Sequence, residues 1–130
     1  MKNETKEWIA YADENLKSAE ILFDRKLLNP CLQNAQQAIE KYLKSLFFER
    51  SIKLHKTHSI SDLKGIITKH GVLIELSDDD CELLDSIYLP SKYPLGSVLP
   101  DFTPDESICQ KCLTIVKRIE NNVKEYLQRQ

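Results

Sequence analysis

A run of regularly spaced apolar residues between positions 32 and 47 restricts the fold more than any other feature. Its members are Leu32, Ala35, Ile39, Tyr42, Leu43, Leu46 and Phe47. Spacings of three and four residues align side chains along one side of a helix with 3.6 residues per turn. Because Pro30 suits a first helical turn, the sequence predicts an amphipathic helix from Pro30 to Arg50 whose apolar face must be covered.

Four further segments have helical spacing or residues that begin a helix. They run from Thr5 to about Lys26, from about Ser59 to His70, from Ser77 to near Tyr88, and from Thr103 to the C-terminus. The first carries the stripe Trp8, Ala12, Leu16, Ala19 and Phe23, and the last carries Ile108, Cys112, Ile115, Ile119, Val123 and Tyr126 or Leu127. No two apolar segments have the pattern of paired β-strands. The sequence therefore predicts an all-α protein, an antiparallel bundle of about five helices forming one domain over residues 1–130.

Capping signals indicate where the shorter helices begin and end. Ser59 can accept a backbone hydrogen bond at the start of the third helix, and Gly71 can end it in a left-handed conformation. Ser77 precedes three aspartates, which suit the positive end of the fourth helix. Thr103, followed by Pro104, predicts the N-cap of the last helix.

Composition excludes several classes of protein. The chain has 18 Lys and Arg against 20 Asp and Glu, a formal net charge of -2, so no global basic field favours nonspecific binding to nucleic acid. No secretory signal is recognised at the N-terminus, and no run of about 18 uncharged apolar residues suggests a membrane span. The expectation is a soluble, cytoplasmic protein.

Four cysteines, Cys31, Cys81, Cys109 and Cys112, are too few for a disulfide scaffold and are expected to be reduced. Zinc at the C-x-x-C of Cys109 and Cys112 would need two further ligands nearby, so these thiols are expected to pack in the core or lie incidentally at the surface. Neither a metal nor a cofactor is expected, since Gly-rich phosphate-binding loops are also missing.

Prolines at 90, 94 and 100 predict that the fourth helix ends near Tyr88 and that a long irregular segment follows, to Phe102. Long connections of this kind are often functional. Tyr88, Lys92 and Tyr93 combine two phenol rings with an ammonium group, which suits contact with a base and a phosphate. Alternatively, the rings pin the segment to the bundle and Lys92 is solvated.

Three strings of sequence carry a family resemblance. The second predicted helix contains QQAIEKYLK at 36–44, the third begins with KTHSI at 56–60, and the fourth is followed by YLPSKYP at 88–94. In this order and spacing they resemble the HEPN family, the "higher eukaryotes and prokaryotes nucleotide-binding" domain. The resemblance spans nearly the whole chain, from Trp8 to the last helix.

The resemblance implies an all-α bundle of about five helices that commonly forms homodimers. Family members are often encoded beside small nucleotidyltransferases, and several act as metal-independent ribonucleases in toxin–antitoxin or other defence systems. The ribonucleases carry an R-x4-6-H motif whose Arg and His, from two subunits, meet in a cleft. There the His can move protons near neutral pH while the Arg holds the phosphate bidentately.

Arg50 and His55 fit that motif with four residues between them. They are candidates for a phosphate clamp and an acid–base group, and the alternative is a helix-terminal Arg beside an exposed loop His. His58 is a further candidate base, because the start of a helix favours a neutral ring. Its alternative role is to hydrogen-bond at the entry to the third helix.

Gln37, Lys41 and Lys44 lie together on the second predicted helix, with Glu40 beside Lys44. Such polar groups could line a dimer cleft or form a solvated face with ordinary i,i+4 pairs. The predicted nucleotide- or RNA-binding set is Gln37, Lys41, Lys44, Tyr88, Lys92 and Tyr93.

Two functions are consistent with these residues. The first is a homodimeric binding protein that pairs with a separately encoded minimal nucleotidyltransferase in a toxin–antitoxin-like module and binds nucleotide or RNA. The second is a metal-independent ribonuclease using Arg50 and His55, or else His58 and Lys92, in a cleft between subunits.

Overall fold

A computed structural model of the protein describes residues 1–54, 56–92 and 104–129, with the backbone alone for residues 88–92. Its helices are α1 (Asn3–Asp24), α2 (Leu28–Glu49), α3 (Ile60–Lys69), α4 (Asp78–Lys92) and α5 (Glu106–Gln128). The described residues contain no strand. The prediction of an all-α bundle of about five helices is therefore confirmed.

Helix α2 lies at the centre of the fold, in contact with each of the other four helices. Every residue of its predicted apolar stripe is completely buried. Helix α1 runs antiparallel to α2: the Thr5 hydroxyl donates to Glu49 Oε1 (2.9 Å) at one end, and Asn15 Nδ2 donates to Asn34 Oδ1 (2.9 Å) nearer the other. Lys41 and Lys44 of α2 thereby lie beside residues of α1.

Helix α3 begins and ends as the sequence predicts. The Ser59 hydroxyl accepts the backbone N–H of Asp62 at 3.2 Å. At the other end Gly71 has a φ of +83°, and the N–H groups of Gly71 and Val72 bond back to Thr68 O (3.0 Å) and Ile67 O (3.3 Å). This left-handed terminating turn favours glycine because a side chain would be strained there.

The start of α3 is also capped from a different helix. Asp85 of α4 accepts the Ile60 N–H at Oδ1 (2.7 Å), and at Oδ2 it accepts the Ser61 N–H (3.3 Å) and the Ser59 hydroxyl (3.0 Å). These N–H groups have no partner within their own helix. A carboxylate of the protein thus occupies the position where an external anion could otherwise bind.

The predicted end of the fourth helix near Tyr88 is wrong, because α4 continues through Pro90 to Lys92. Pro90 supplies no N–H for a bond to the carbonyl of residue 86, and the helix continues for two residues beyond it without that bond. The segment expected to be irregular from Tyr88 is therefore helical as far as Lys92. Residues 93–103 lie outside the described residues.

The predicted N-cap of the last helix is also wrong. Helix α5 begins at Glu106, and the capping side chain is Asp105, whose Oδ1 accepts the Ile108 N–H at 2.7 Å. Thr103 itself lies outside the described residues. Thr and Asp both cap helices well, so residue type alone does not decide between Thr103 and Asp105.

All four cysteines are buried thiols outside any disulfide. Burial raises the pKa of Cys31 and of Cys112 to about 12. Cys109 Sγ lies 3.6 Å from the carbonyl oxygen of Leu28. Neutral thiols in these positions act as small apolar packing groups.

Within the described part of the chain, none of the helices combines the length and apolar character needed to cross a lipid bilayer.

Candidate functional site

Aromatic rings and ammonium groups alternate on one surface of the α1–α2 pair. We call this surface the α1–α2 face, and it comprises Trp8, Tyr11 and Asn15 of α1 with Gln37, Lys41 and Lys44 of α2. In each helix these residues lie three or four positions apart, which places them on one side. The contacts between the two sets bring the predicted lysines beside rings from a different helix.

Lys41 joins the two helices at the middle of the face. Its Nζ donates to Asn15 Oδ1 at 2.6 Å and lies 5.7 Å from the centre of the Tyr11 ring. Tyr11 is 57% exposed, unusually high for a large aromatic residue. A ring that is accessible to solvent and adjacent to a positive charge can stack on a nucleobase while the ammonium group contacts phosphate.

Lys44 lies beside a second ring. Its Nζ is 5.9 Å from the centre of the Trp8 ring, which stacks on Phe48 with centroids 5.6 Å apart and an interplanar angle of 29°. Trp8 is only half-buried. The sequence assigned Trp8 to the core stripe of the first helix, and the structure places it at the edge of that core, where one part of the indole remains exposed.

A buried carboxylate connects Lys44 to His58. The Glu40 side chain is 10% exposed; its Oε2 accepts from Lys44 Nζ (3.1 Å), and its Oε1 lies 2.9 Å from His58 Nδ1. The Lys44 side chain is 12% exposed and the His58 side chain 57%. The acid is thus enclosed by its two partners, while the imidazole reaches the surface.

Further hydrogen bonds fix the backbone around His58. Gln36, buried on α2, donates from Nε2 to the His58 carbonyl oxygen at 3.4 Å. The next residue, Ser59, bonds to Asp85 of α4. The predicted role of His58 in organising the entry to α3 is consistent with these contacts, which tie the backbone before α3 to α2 and α4.

Arg50 lies at the end of α2 and contacts two other helices. Its Nη1 donates to the Tyr126 hydroxyl (2.6 Å) and its Nη2 to the His70 carbonyl oxygen (3.2 Å). The guanidinium group thereby satisfies a backbone carbonyl at the end of α3 and links that end to α5 by hydrogen bonds. His55, its predicted partner, lies outside the described residues, so the pairing of Arg50 with His55 stays a prediction.

The remaining predicted site residues belong to the end of α4 or follow it. The backbone of Tyr88 and Lys92 lies in α4, and the side chains of both are outside the described part of the structure, as is the whole of Tyr93. Their predicted contacts with a base and a phosphate stay predictions.

A separate polar network ties α1, α2 and α5 together. The Tyr42 hydroxyl donates to Asp13 Oδ1 (2.5 Å), and Lys124 Nζ lies 3.0 Å from the same oxygen. Burial, followed by the bond to Asp13, raises the pKa of Tyr42 far above its usual value. Burial opposes the charge on Lys124, yet its bonds to Glu120 and Asp13 hold its pKa above the usual value.

In the part of the chain that the structure describes, neither a metal cluster nor the cavity between α3 and α4 lies at the α1–α2 face. Among the described residues, no group of three His, Cys, Asp or Glu side chains could hold a metal ion. A cavity of about 910 Å³ lies between α3 and α4, lined by Lys64, Gly65 and Asp78 among others. Its lining carries charges of both signs.

One residue of the face that the sequence analysis did not select, Tyr11, could have been found from the sequence. Tyr11 stands outside the buried stripe of α1, and an aromatic residue at such a position is predicted to be exposed. The contact between Glu40 and His58 had no local signal, because 18 residues separate the two and the contact depends on how α3 packs against α2.

Comparisons with known proteins identify the same fold. The family model of the HEPN domain matches residues 5–126. The protein is similar to TT1696 from Thermus thermophilus, whose crystal structure has a TM-score of 0.78 and 24% identity, covering 95% of this chain and 98% of that one. It is also similar to the crystal structure of ST0689, described as an archaeal HEPN homologue, with a TM-score of 0.68, 24% identity and coverage of 97% and 98%. No curated protein matches significantly.

Proposed function

Because the chain belongs to the HEPN domain family, we propose that residues 1–130 form one domain that binds RNA or a nucleotide and works with a separately encoded minimal nucleotidyltransferase. The two proteins would constitute a cytoplasmic toxin–antitoxin-like module. The observation that carries the binding proposal is the α1–α2 face, where exposed Tyr11 lies beside Lys41 and half-buried Trp8 lies beside Lys44.

The chemistry of the α1–α2 face suits single-stranded RNA. Bases stack on aromatic rings without regard to their sequence, and nearby ammonium groups attract the phosphates between them. With a net charge of -2, the whole molecule offers little general attraction for RNA, so binding depends on this local arrangement. Affinity should accordingly fall as salt rises, because each phosphate contact releases a bound counterion.

A binding titration with a labelled single-stranded oligoribonucleotide tests this proposal. We expect Tyr11→Ala to weaken binding about tenfold, since one base stacked on a ring contributes about 1–3 kcal/mol. The matched control is Ile21→Ala, another exposed apolar residue of α1, 52% exposed, lying outside the face. Equal affinities in the wild type and both variants, or no binding by the wild type, would contradict the proposal.

The partnership and the homodimer are supported by family membership. Recovery of a small nucleotidyltransferase with the protein from native cells, identified by mass spectrometry, would support the module. Light scattering on the purified protein should give about twice the chain mass of 15.1 kDa. A protein that is repeatedly monomeric and lacks such a partner would contradict this part of the proposal.

The alternative function is a metal-independent ribonuclease. One observation favours it: the imidazole of His58 is exposed at the surface and held by a buried carboxylate. The pair first considered, Arg50 with His55, receives no such support, because the Arg50 guanidinium already bonds to Tyr126 and His70. Cleavage of single-stranded RNA in the presence of EDTA distinguishes a ribonuclease from a binding protein.

A further inference from the structure

Two of the four cysteines meet in the core although they lie far apart in the sequence. Cys31 and Cys109 are each the fourth residue of a helix, α2 and α5 respectively, and neither is accessible to solvent. Their thiols hydrogen-bond to each other. The Cys109 thiol also donates to the carbonyl oxygen of Leu28, the first residue of α2, at 3.6 Å. The starts of the two helices therefore pack together, and their sulfurs are close enough for a small movement to join them.

The hydrogen bond between these thiols gives them different roles. Burial, followed by the charge of the neighbouring Cys109, raises the pKa of Cys31 to about 12. Burial also raises the pKa of Cys109, but the hydrogen bond from Cys31 acts in the opposite direction. Cys31 is therefore the donor, and Cys109 is the sulfur of the pair that loses its proton first. The thiolate is the form of cysteine that reacts with oxidants.

The other two cysteines are less suited to pair with Cys109. Cys112 lies one turn further along α5, and among the described residues no hydrogen bond joins it to Cys109, although burial raises its pKa to about 12 as well. Cys81 lies on α4, where it lines the cavity between α3 and α4. Direct contact between sulfurs thus distinguishes Cys31 as the partner of Cys109.

The turn before α2 offers a route by which an oxidant reaches the buried pair. Lys26, in this turn, has a φ of +62°, a left-handed conformation that is strained for a residue other than glycine. Leu27 occupies the N-cap position of α2, is 52% exposed, and has an apolar side chain that cannot cap a helix. Helix ends with few stabilising contacts open more readily than helix interiors. Because the Cys31 N–H bonds to the Leu27 carbonyl oxygen at 3.1 Å, opening of this turn uncovers Cys31.

We propose that Cys31 and Cys109 are a redox-sensitive pair, which forms a disulfide when the protein meets a peroxide and so fastens the start of α2 to the start of α5. In the reduced protein both thiols are packing groups of the core. Since α2 contacts each of the other four helices, the disulfide restrains the central helix of the fold. The inference does not depend on the proposed RNA binding.

The oxidation consumes one peroxide molecule for each disulfide. The Cys109 sulfur attacks one oxygen of hydrogen peroxide, the O–O bond breaks, and the departing hydroxide takes the thiol proton to form water. The resulting sulfenic acid is attacked at sulfur by Cys31. The S–O bond then breaks, and the released hydroxide leaves as a second water with the Cys31 proton. Two sulfurs are thereby oxidised as the peroxide is reduced by two electrons.

The test exposes the reduced full chain to hydrogen peroxide and counts its free thiols by alkylation and mass spectrometry. We expect two of the four thiols to be lost, and a cross-linked pair of peptides containing Cys31 and Cys109 to appear. Dithiothreitol should restore all four thiols. The oxidised protein should also unfold at a higher urea concentration than the reduced protein, because a disulfide between residues far apart in sequence restricts the unfolded chain.

Single substitutions test which sulfurs take part. Cys31→Ala and Cys109→Ala should each abolish the cross-link and the peroxide-dependent gain in stability. Cys81→Ala is the matched control, since Cys81 is also a buried thiol, and this variant should form the cross-link as the wild type does. Peptide mapping of the oxidised wild type decides the pairing even if one of the variants fails to fold.

Several outcomes overturn the inference. They are four thiols that stay free in the folded protein after peroxide treatment, oxidation of single cysteines without a cross-link, and a cross-link between Cys109 and Cys112 or between two chains. A cross-link that forms only after the protein has been unfolded with urea overturns it as well. Each of these results leaves the proposed RNA binding untouched, because the pair lies in the core and outside the α1–α2 face.

Discussion

Asp85 is a single residue that joins two helices and supports the position of a candidate functional group. Its carboxylate accepts from two backbone N–H groups and one hydroxyl at the start of α3, next to His58. The sequence did not single it out, because the bonded residues are 24 to 26 positions away and no local pattern connects them. A cap supplied by a different helix depends on how α4 packs against the start of α3, which the sequence does not show.

We predict that Asp85→Ala lowers the free energy of unfolding by about 1–2 kcal/mol, the usual cost of losing an N-cap side chain. Urea denaturation measures the change. Asp79→Ala is the matched control: Asp79 lies on the same helix, is exposed and should change stability by less than about 0.5 kcal/mol. Similar values for the two variants would mean that the Asp85 contacts contribute little.

Among the elements, the helices with strong apolar periodicity were predicted well. Every residue of the α2 stripe is buried, because a side chain's place around a helix follows directly from its sequence spacing. The end of α4 was predicted wrongly because a proline disfavours the continuation of a helix without preventing it, and α4 continues two residues past Pro90. Similarly, the N-cap of α5 was assigned to Thr103, although Asp105, two residues later, is also a residue type that caps helices well.

Replacing the glycine inside α3 and the glycine just after it by alanine should change the free energy of unfolding in opposite directions. Gly71 has a φ of +83°, where a side chain is strained, so Gly71→Ala should lower stability by about 1 kcal/mol. Gly65 lies inside the helix, and an added Cβ would have nothing within 4 Å. Gly65→Ala should therefore raise stability by about 0.5–1 kcal/mol.

Thermal or urea unfolding of the two alanine variants checks these signs. Both substitutions add the same methyl group close together in the chain, so their difference isolates the backbone conformation. Destabilisation by both substitutions to the same extent would contradict the left-handed turn as the structure has it.

In the whole molecule, the candidate site exists only because three helices come together. The sequence indicated Lys41, Lys44 and His58 separately, each with a structural alternative beside its functional role. It could not show that Trp8 and Tyr11 lie next to those lysines, or that Glu40 links Lys44 to His58, since these contacts depend on the packing of α1 and α3 against α2. Periodicity predicts which face of a helix is buried, but not which polar groups of different helices meet at its edge.

The chain contains a single tryptophan, Trp8, and it lies within the α1–α2 face. Its fluorescence is therefore a direct probe of the central claim that RNA binds there. In a titration with a single-stranded oligoribonucleotide, we expect saturable quenching as a base stacks near the indole, with an affinity that falls as salt rises. Fluorescence that stays unchanged while an independent measurement shows the RNA to be bound, or an absence of binding altogether, would contradict the claim.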